Sequence, residues 1–133
     1  MRTPAEILRD ARTIAVVGAS PRPDRPSHGV MRYLLANGYD VIPVRPAGCD
    51  EVLGVPCVRT LTEIDRAIDL VDVFRRADAT PPHAEEAAAV GAGALWLQLG
   101  IVSAESKRIA ADAGMDYVED LCTAVVHRYE LRA

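Results

Sequence analysis

Aromatic residues and dense basic stripes are both scarce in this sequence. One Trp, one Phe and four Tyr among 133 residues, with Lys and Arg scattered, leave a nucleic-acid surface little to stack with or to grip by. Long apolar runs are missing as well. The longest uncharged stretch, Ala87 to Ala104, is 18 residues long and is interrupted by Gly91, Gly93, Gln98 and Gly100, so no membrane span is expected. The first ten residues hold Pro4, Glu6, Arg9 and Asp10 where an export signal needs an apolar core. Cysteine is sparse and odd in number: Cys49, Cys57 and Cys122 form no C-x-x-C pair. Neither a disulfide framework nor a structural zinc site is expected from them. Cys49 and Cys57 read as inert, and a soluble, cytoplasmic protein in a reducing setting fits best.

What is present suits one globular domain over residues 1–133. Half of the residues are apolar and 26% are charged. A chain of this size buries about two thirds of the surface that its unfolded form exposes. The net charge of −4 is uneven: Met1 to Pro46 holds 7 basic and 4 acidic residues, or +3, and the remainder 8 and 15, or −7. The basic half is therefore where a small anionic ligand would be sought.

Thr3-Pro4-Ala5-Glu6 reads as a capping box opening a short helix to about Arg12. Thr13 to Val17 is a β-branched apolar run stopped by Gly18, the pattern of a strand buried on both faces. A helix from Ser27 to Asn37 ends at Gly38, and strand two spans Tyr39 to Val44. Leu70 to Phe74 reads as strand three and Leu95 to Leu99 as strand four. Between them lies a helix capped by Thr80 and closed near Gly91. Ser103 caps a further helix to Ala113, a short strand follows at Tyr117 to Glu119, and a last helix begins after Leu121. The second crossover, with Gly54-Val55-Pro56 and a turn near Thr62 to Asp65, shows no clear helix. Strands alternating with helices predict an α/β, doubly wound, Rossmann-like parallel sheet of five strands. Its expected strand order is 3-2-1-4-5.

In such a sheet ligands bind beyond the carboxyl ends of the strands, where the order reverses. After strand one come Gly18-Ala19-Ser20, a loop containing Arg25, and a helix entered at Ser27. Arg45-Pro46 follows strand two, Phe74, Arg75 and Arg76 end strand three, and Gly100 follows strand four. The dinucleotide fingerprint needs its second glycine where Ser20 stands and an acidic residue at the end of strand two, where Arg45 stands. NAD is disfavoured. An arginine there suits a ribose bearing an extra phosphate, which leaves NADP and coenzyme A; the long, proline-stiffened loop weighs against NADP. The trio Ser20, Asp24 and His28 lacks a nucleophile elbow, and His83 and His127 lack a paired ligand at i+4.

The runs Ile14 to Pro21, Arg25 to Val30, Val41 to Pro46, Val71 to Arg76 and Trp96 to Gly100 resemble the stand-alone CoA-binding domain proteins. Those proteins share a Rossmann-like domain with the N-terminal part of the succinyl-CoA synthetase alpha subunit. The resemblance covers nearly the whole chain. It implies coenzyme A, or a short acyl-CoA, held across the carboxyl edge, with no activity established for the stand-alone domain, and the residues themselves offer no catalytic constellation. Gly18, Ala19 and Ser20 would lie against phosphates, Arg45-Pro46 and Phe74-Arg75 beside the adenosine, and Leu97, Gln98 and Leu99 beside the pantetheine. Cys122 matches a cysteine near the CoA site. The chain departs from the family pattern at Arg45, usually asparagine, and at Leu121, usually arginine. The alternative reading is an NADP-dependent, oxidoreductase-like protein. Neither a metal nor a particular protein partner is indicated.

Overall fold

The computed structural model describes residues 1–132. In chain order the elements are α1 (Pro4–Asp10), β1 (Thr13–Val17), α2 (Pro26–Ala36), β2 (Asp40–Val44), β3 (Glu51–Val52), β4 (Val55–Pro56), β5 (Leu70–Val73), α3 (Thr80–Ala89), β6 (Ala94–Leu97), α4 (Ala104–Asp112), β7 (Asp116–Val118) and α5 (Thr123–Glu130). Short 3₁₀ turns at Leu61–Glu63 and Ala77–Ala79 complete the connections.

Five strands form one parallel sheet in the order β2-β1-β5-β6-β7. The doubly wound α/β class is as read from the sequence, but the strand order is not. Counting only the sheet strands, it is 2-1-3-4-5, because β5 lies beside β1 and not outside β2. Ile14 to Val17 accordingly face Leu70 to Val73 in register. The chain leaves β1 for β2 on one side and returns to the other side of β1 as β5, so the order reverses between β1 and β5. The ligand crevice thus stays beside β1, but its second wall is β5 where the expected order would put β6, and Gly18 is set against Phe74.

Alternation along the strands divides the core into two layers. Ile14 and Val16 pack with Ile7, Leu8, Met31, Leu34 and Trp96 under α1, α2 and α5. Ala15 and Val17 pack with Val73, Ala84, Leu95, Leu97 and Ile109 under α3 and α4. α1 starts with the expected box: Thr3 Oγ1 accepts from Glu6 N at 3.2 Å and Glu6 Oε1 from Thr3 N at 2.9 Å. Ser103 caps α4, accepting from Ser106 N at 3.1 Å. Thr80 does not cap α3. It lies inside the helix, where its hydroxyl donates to the Ala77 carbonyl at 2.8 Å and meets Ser106 Oγ at 2.8 Å.

The second crossover holds a small hairpin instead of a helix. Val52 pairs with Val55 across a two-residue turn in which Leu53 (φ 52°) and Gly54 (φ 80°) are both left-handed, as a type I′ turn requires. Cys49 and Cys57, expected to be inert thiols, are joined by a disulfide that closes this hairpin at a Cα separation of 5.6 Å. The pairing follows from the antiparallel ladder, which brings the two flanks within bonding range. Among the described residues no helix is long and apolar enough to cross a membrane.

Candidate functional site

The loops leaving the carboxyl ends of β1, β2, β5 and β6, together with the start of α2 and the residue before α5, enclose a cavity of about 710 Å³. Gly18 makes the first turn out of β1 with φ 87°. Its amide donates to the Val44 carbonyl at 2.9 Å, and an added Cβ would overlap the Phe74 carbonyl oxygen. Glycine is thus demanded here by the neighbouring strand as well as by the backbone angle. Ser20 Oγ accepts from Arg22 N at 3.2 Å, so its hydroxyl shapes the loop. The loop ends at Arg25, the N-cap of α2, which makes no side-chain cap bond; Pro26 and Ser27 open the helix toward the cavity. Pro26 has no N–H and the His28 amide donates to the Arg25 carbonyl at 3.0 Å, so the Ser27 amide is the donor that this helix start offers an anion.

Of the residues singled out in the sequence, Gly18, Ser20, Arg25, Ser27, Arg45, Phe74, Arg75, Arg76, Gln98, Leu99 and Cys122 line this one cavity. Four do not. Ala19 is buried against the α2 layer, and Leu97 is fully buried in the opposite layer. Pro46 and Gly100 lie exposed outside it. Arg22, Pro26, Val30 and Ile101 also line it without having been singled out. Arg22 belongs to the loop after β1 and Pro26 opens α2, and the helical spacing of Val30 from Pro26 is the available signal for the third.

Five arginines, Arg22, Arg25, Arg45, Arg75 and Arg76, line the cavity and no acidic residue does. This excess stands out in a chain of net charge −4. Arg22 and Arg76 have nearby counter-ions, Asp24 at 3.0 Å and Asp78 at 3.4 Å, on exposed side chains. Arg45 reaches over the β1 loop, with Nη1 3.4 Å from the Ala19 carbonyl. The trio Ser20, Asp24 and His28 forms no relay: Ser20 and Asp24 both engage Arg22, and buried His28 Nδ1 has no hydrogen-bond partner.

The other flank of the cavity carries Gln98, Leu99, Ile101 and Cys122 and bears no charge. A buried polar network supports it. Gln98 Oε1 accepts from the Thr123 amide at 3.0 Å and lies 3.2 Å from Thr123 Oγ1, which is 2.9 Å from Asp72 Oδ2. Asp72 is completely buried, its Oδ1 has no partner, and burial pushes its carboxyl up to about 8, with the Thr123 hydrogen bond opposing the shift. A hydroxyl has one hydrogen to give to two acceptors. A protonated Asp72 resolves this by donating to Thr123, which donates in turn to Gln98.

A second hollow of about 730 Å³ lies at the amino edge of the sheet. Several of its polar groups are already engaged by residues outside the lining: Asp40 pairs with Arg66 at 2.6 Å, His127 Nδ1 lies 2.8 Å from Tyr33 Oη, and Arg9 pairs with Asp10 at 3.4 Å, which leaves Arg12 as its one guanidinium without a carboxylate among the described residues. The arginine-lined cavity is the one equipped for an external anion. Among the described residues no three His, Cys, Asp or Glu side chains gather as a metal site would require.

The family described as "CoA binding domain" matches residues 12–128. The uncharacterized protein YneT of Bacillus subtilis is 45% identical over 122 residues, covering 92% of this chain and 90% of its own. A hypothetical protein from Pyrococcus horikoshii superposes with a TM-score of 0.90 at 37% identity, over 96% of this chain and 91% of that one. A Thermus thermophilus protein superposes with a TM-score of 0.89 at 38% identity, over 96% and 98%. A dinucleotide-forming acetyl-coenzyme A synthetase from Ca. Korarchaeum cryptofilum shares the fold, with a TM-score of 0.70 at 24% identity over 79% of this chain and 25% of its own.

Proposed function

We propose, since the chain belongs to the CoA-binding domain family, that it holds coenzyme A or an acyl-CoA in the cavity at the carboxyl edge of its sheet. In this reading it is a single-domain binding module without catalytic residues. The observation that carries the proposal is the division of one cavity into an arginine flank and an uncharged flank. Coenzyme A is divided in the same way: a ribose phosphate and a diphosphate at one end, an uncharged pantetheine arm at the other. Guanidinium groups pair with phosphate oxygens through two parallel hydrogen bonds. Arg22, Arg25, Arg45, Arg75 and Arg76 supply such donors, and the Ser27 amide at the start of α2 adds a backbone N–H. Gln98, Leu99, Ile101 and Cys122 then border the arm.

NADP also carries a diphosphate and a ribose phosphate, the latter at the 2′ position where coenzyme A has it at 3′, but it ends in a nicotinamide riboside with no counterpart to the arm. Titration calorimetry of the protein with CoA and with NADP tests the assignment. CoA is expected to bind and NADP to bind far more weakly; comparable affinities would overturn it.

A further inference from the structure

Among the described residues seven large hydrophobic side chains are exposed, and five of them, Leu99, Val102, Leu121, Val125 and Tyr129, come from two short segments. These segments are neighbours. The Gly100 amide donates to Asp120 Oδ1 at 2.7 Å, and the Trp96 indole donates to the Leu121 carbonyl at 2.8 Å. The stretches Leu97 to Val102 and Leu121 to Val126 contain no charged residue. The strip adjoins the cavity along the chain: Leu99, Ile101 and Cys122 line its uncharged flank, Val102 follows Ile101 and Leu121 precedes Cys122, with the exposed Asp120 at the junction. Leu99 is 68% exposed and Val102 52%. Exposed apolar side chains gathered in one place mark a contact surface more often than scattered ones do.

We propose that this strip is a shelf for the apolar acyl chain of a medium-chain acyl-CoA, so that the site prefers such a thioester to free CoA or acetyl-CoA. The inference rests on the CoA reading of the cavity. If the arginine flank holds the phosphates, the pantetheine arm runs along Gln98, Leu99 and Cys122. The chain attached to its sulfur then leaves the cavity over the strip. An acyl chain is favoured as the occupant because the strip is reached from inside the cavity, at the end away from the cations. Covering apolar surface at both partners supplies the driving force.

Calorimetry with CoA, acetyl-CoA and octanoyl-CoA on the wild type and on a Val102→Asp/Leu121→Asp double variant tests this. The wild type is expected to bind octanoyl-CoA at least about tenfold more tightly than acetyl-CoA. That gain corresponds to complete burial of about two CH₂ groups. Neither substituted side chain lines the cavity, so the variant should bind CoA as the wild type does while losing the octanoyl preference. Equal wild-type affinities for the two thioesters, or a preference that survives in the variant, would overturn the shelf and leave the CoA assignment standing. A wild type that binds none of the three would overturn both.

Discussion

Gly18 faces the Phe74 carbonyl oxygen with no room for a side chain between them. The contact joins the two strands at which the sheet order reverses, and the Phe74 amide reinforces it by donating to the Val17 carbonyl at 2.7 Å. A substitution at Gly18 therefore strikes the fold before it strikes any ligand. Gly18→Ala is expected to lose about 1–3 kcal/mol from the left-handed backbone alone, with the overlap adding to that. Thermal unfolding against wild type measures it. A variant as stable as wild type would show that the β1 turn can shift away from β5.

Arg45 is suited to test which phosphate the arginine flank grips. If its guanidinium meets the ribose phosphate, dephospho-CoA should bind the wild type about 1.5–3 kcal/mol more weakly than CoA, the range for hydrogen bonds to charged groups. Arg45→Ala should lower the affinity for CoA and leave dephospho-CoA nearly unchanged. The cycle of two proteins and two ligands isolates the coupling between them. Additive effects would assign that phosphate to another arginine, with Arg75, half-buried beside Phe74, next to be examined.

Asp72 gives stability a dependence on pH. Its folded carboxyl, pushed up to about 8 by burial, keeps its proton through a range in which the unfolded one, ionising near about 4, has lost it. Between those values the native state binds the extra proton, so stability falls by about 1.4 kcal/mol for each pH unit raised, and levels off above the folded value. Asp72→Asn removes that slope. Urea unfolding of both proteins at pH 5, 7 and 8 should show the difference moving in favour of the variant as pH rises. A constant difference would mean that Asp72 is ionised in the fold.

The Cys49–Cys57 bond closes a loop with a sequence separation of 8. Restricting an unfolded loop of that size is worth about 2–3 kcal/mol in the chain-entropy account. Unfolding in the presence of a thiol reductant should be easier by that amount, and Cys57→Ser should behave alike with and without reductant. A wild type indifferent to reductant would show that the bond does not form in solution.

The legible parts of the sequence were those where one residue pattern has one physical meaning. Thr13–Val17 is a strand over the span read from its β-branched run, because all five residues are buried. The boundary at β6 moved: the apolar run ends at Leu99, but the strand ends at Leu97, since Leu99 has left the sheet for the cavity rim. Strand order is not legible in the sequence, because a run buried on both faces reports a central position and not which strands flank it. The hairpin was hidden by Leu53, a residue that rarely adopts the left-handed backbone that the turn needs. With the hairpin unseen, nothing placed Cys49 near Cys57. At the site, the rule that ligands gather beyond the strand ends found the arginine flank. Side-chain alternation separates Leu97, turned into the core, from Gln98, which lines the cavity.

The three bonds that tie Trp96, Gln98 and Gly100 to Leu121, Thr123 and Asp120 make the cavity's two sides mechanically unequal. On the uncharged side, consecutive loops of different βα units are cross-braced into one wall whose shape is set before anything arrives. On the charged side, long guanidinium arms, three of them on exposed residues, must give up rotamer freedom to close on an anion. The entropy lost on capture therefore falls mainly on the arginines, while the wall receives its part of the ligand already in position.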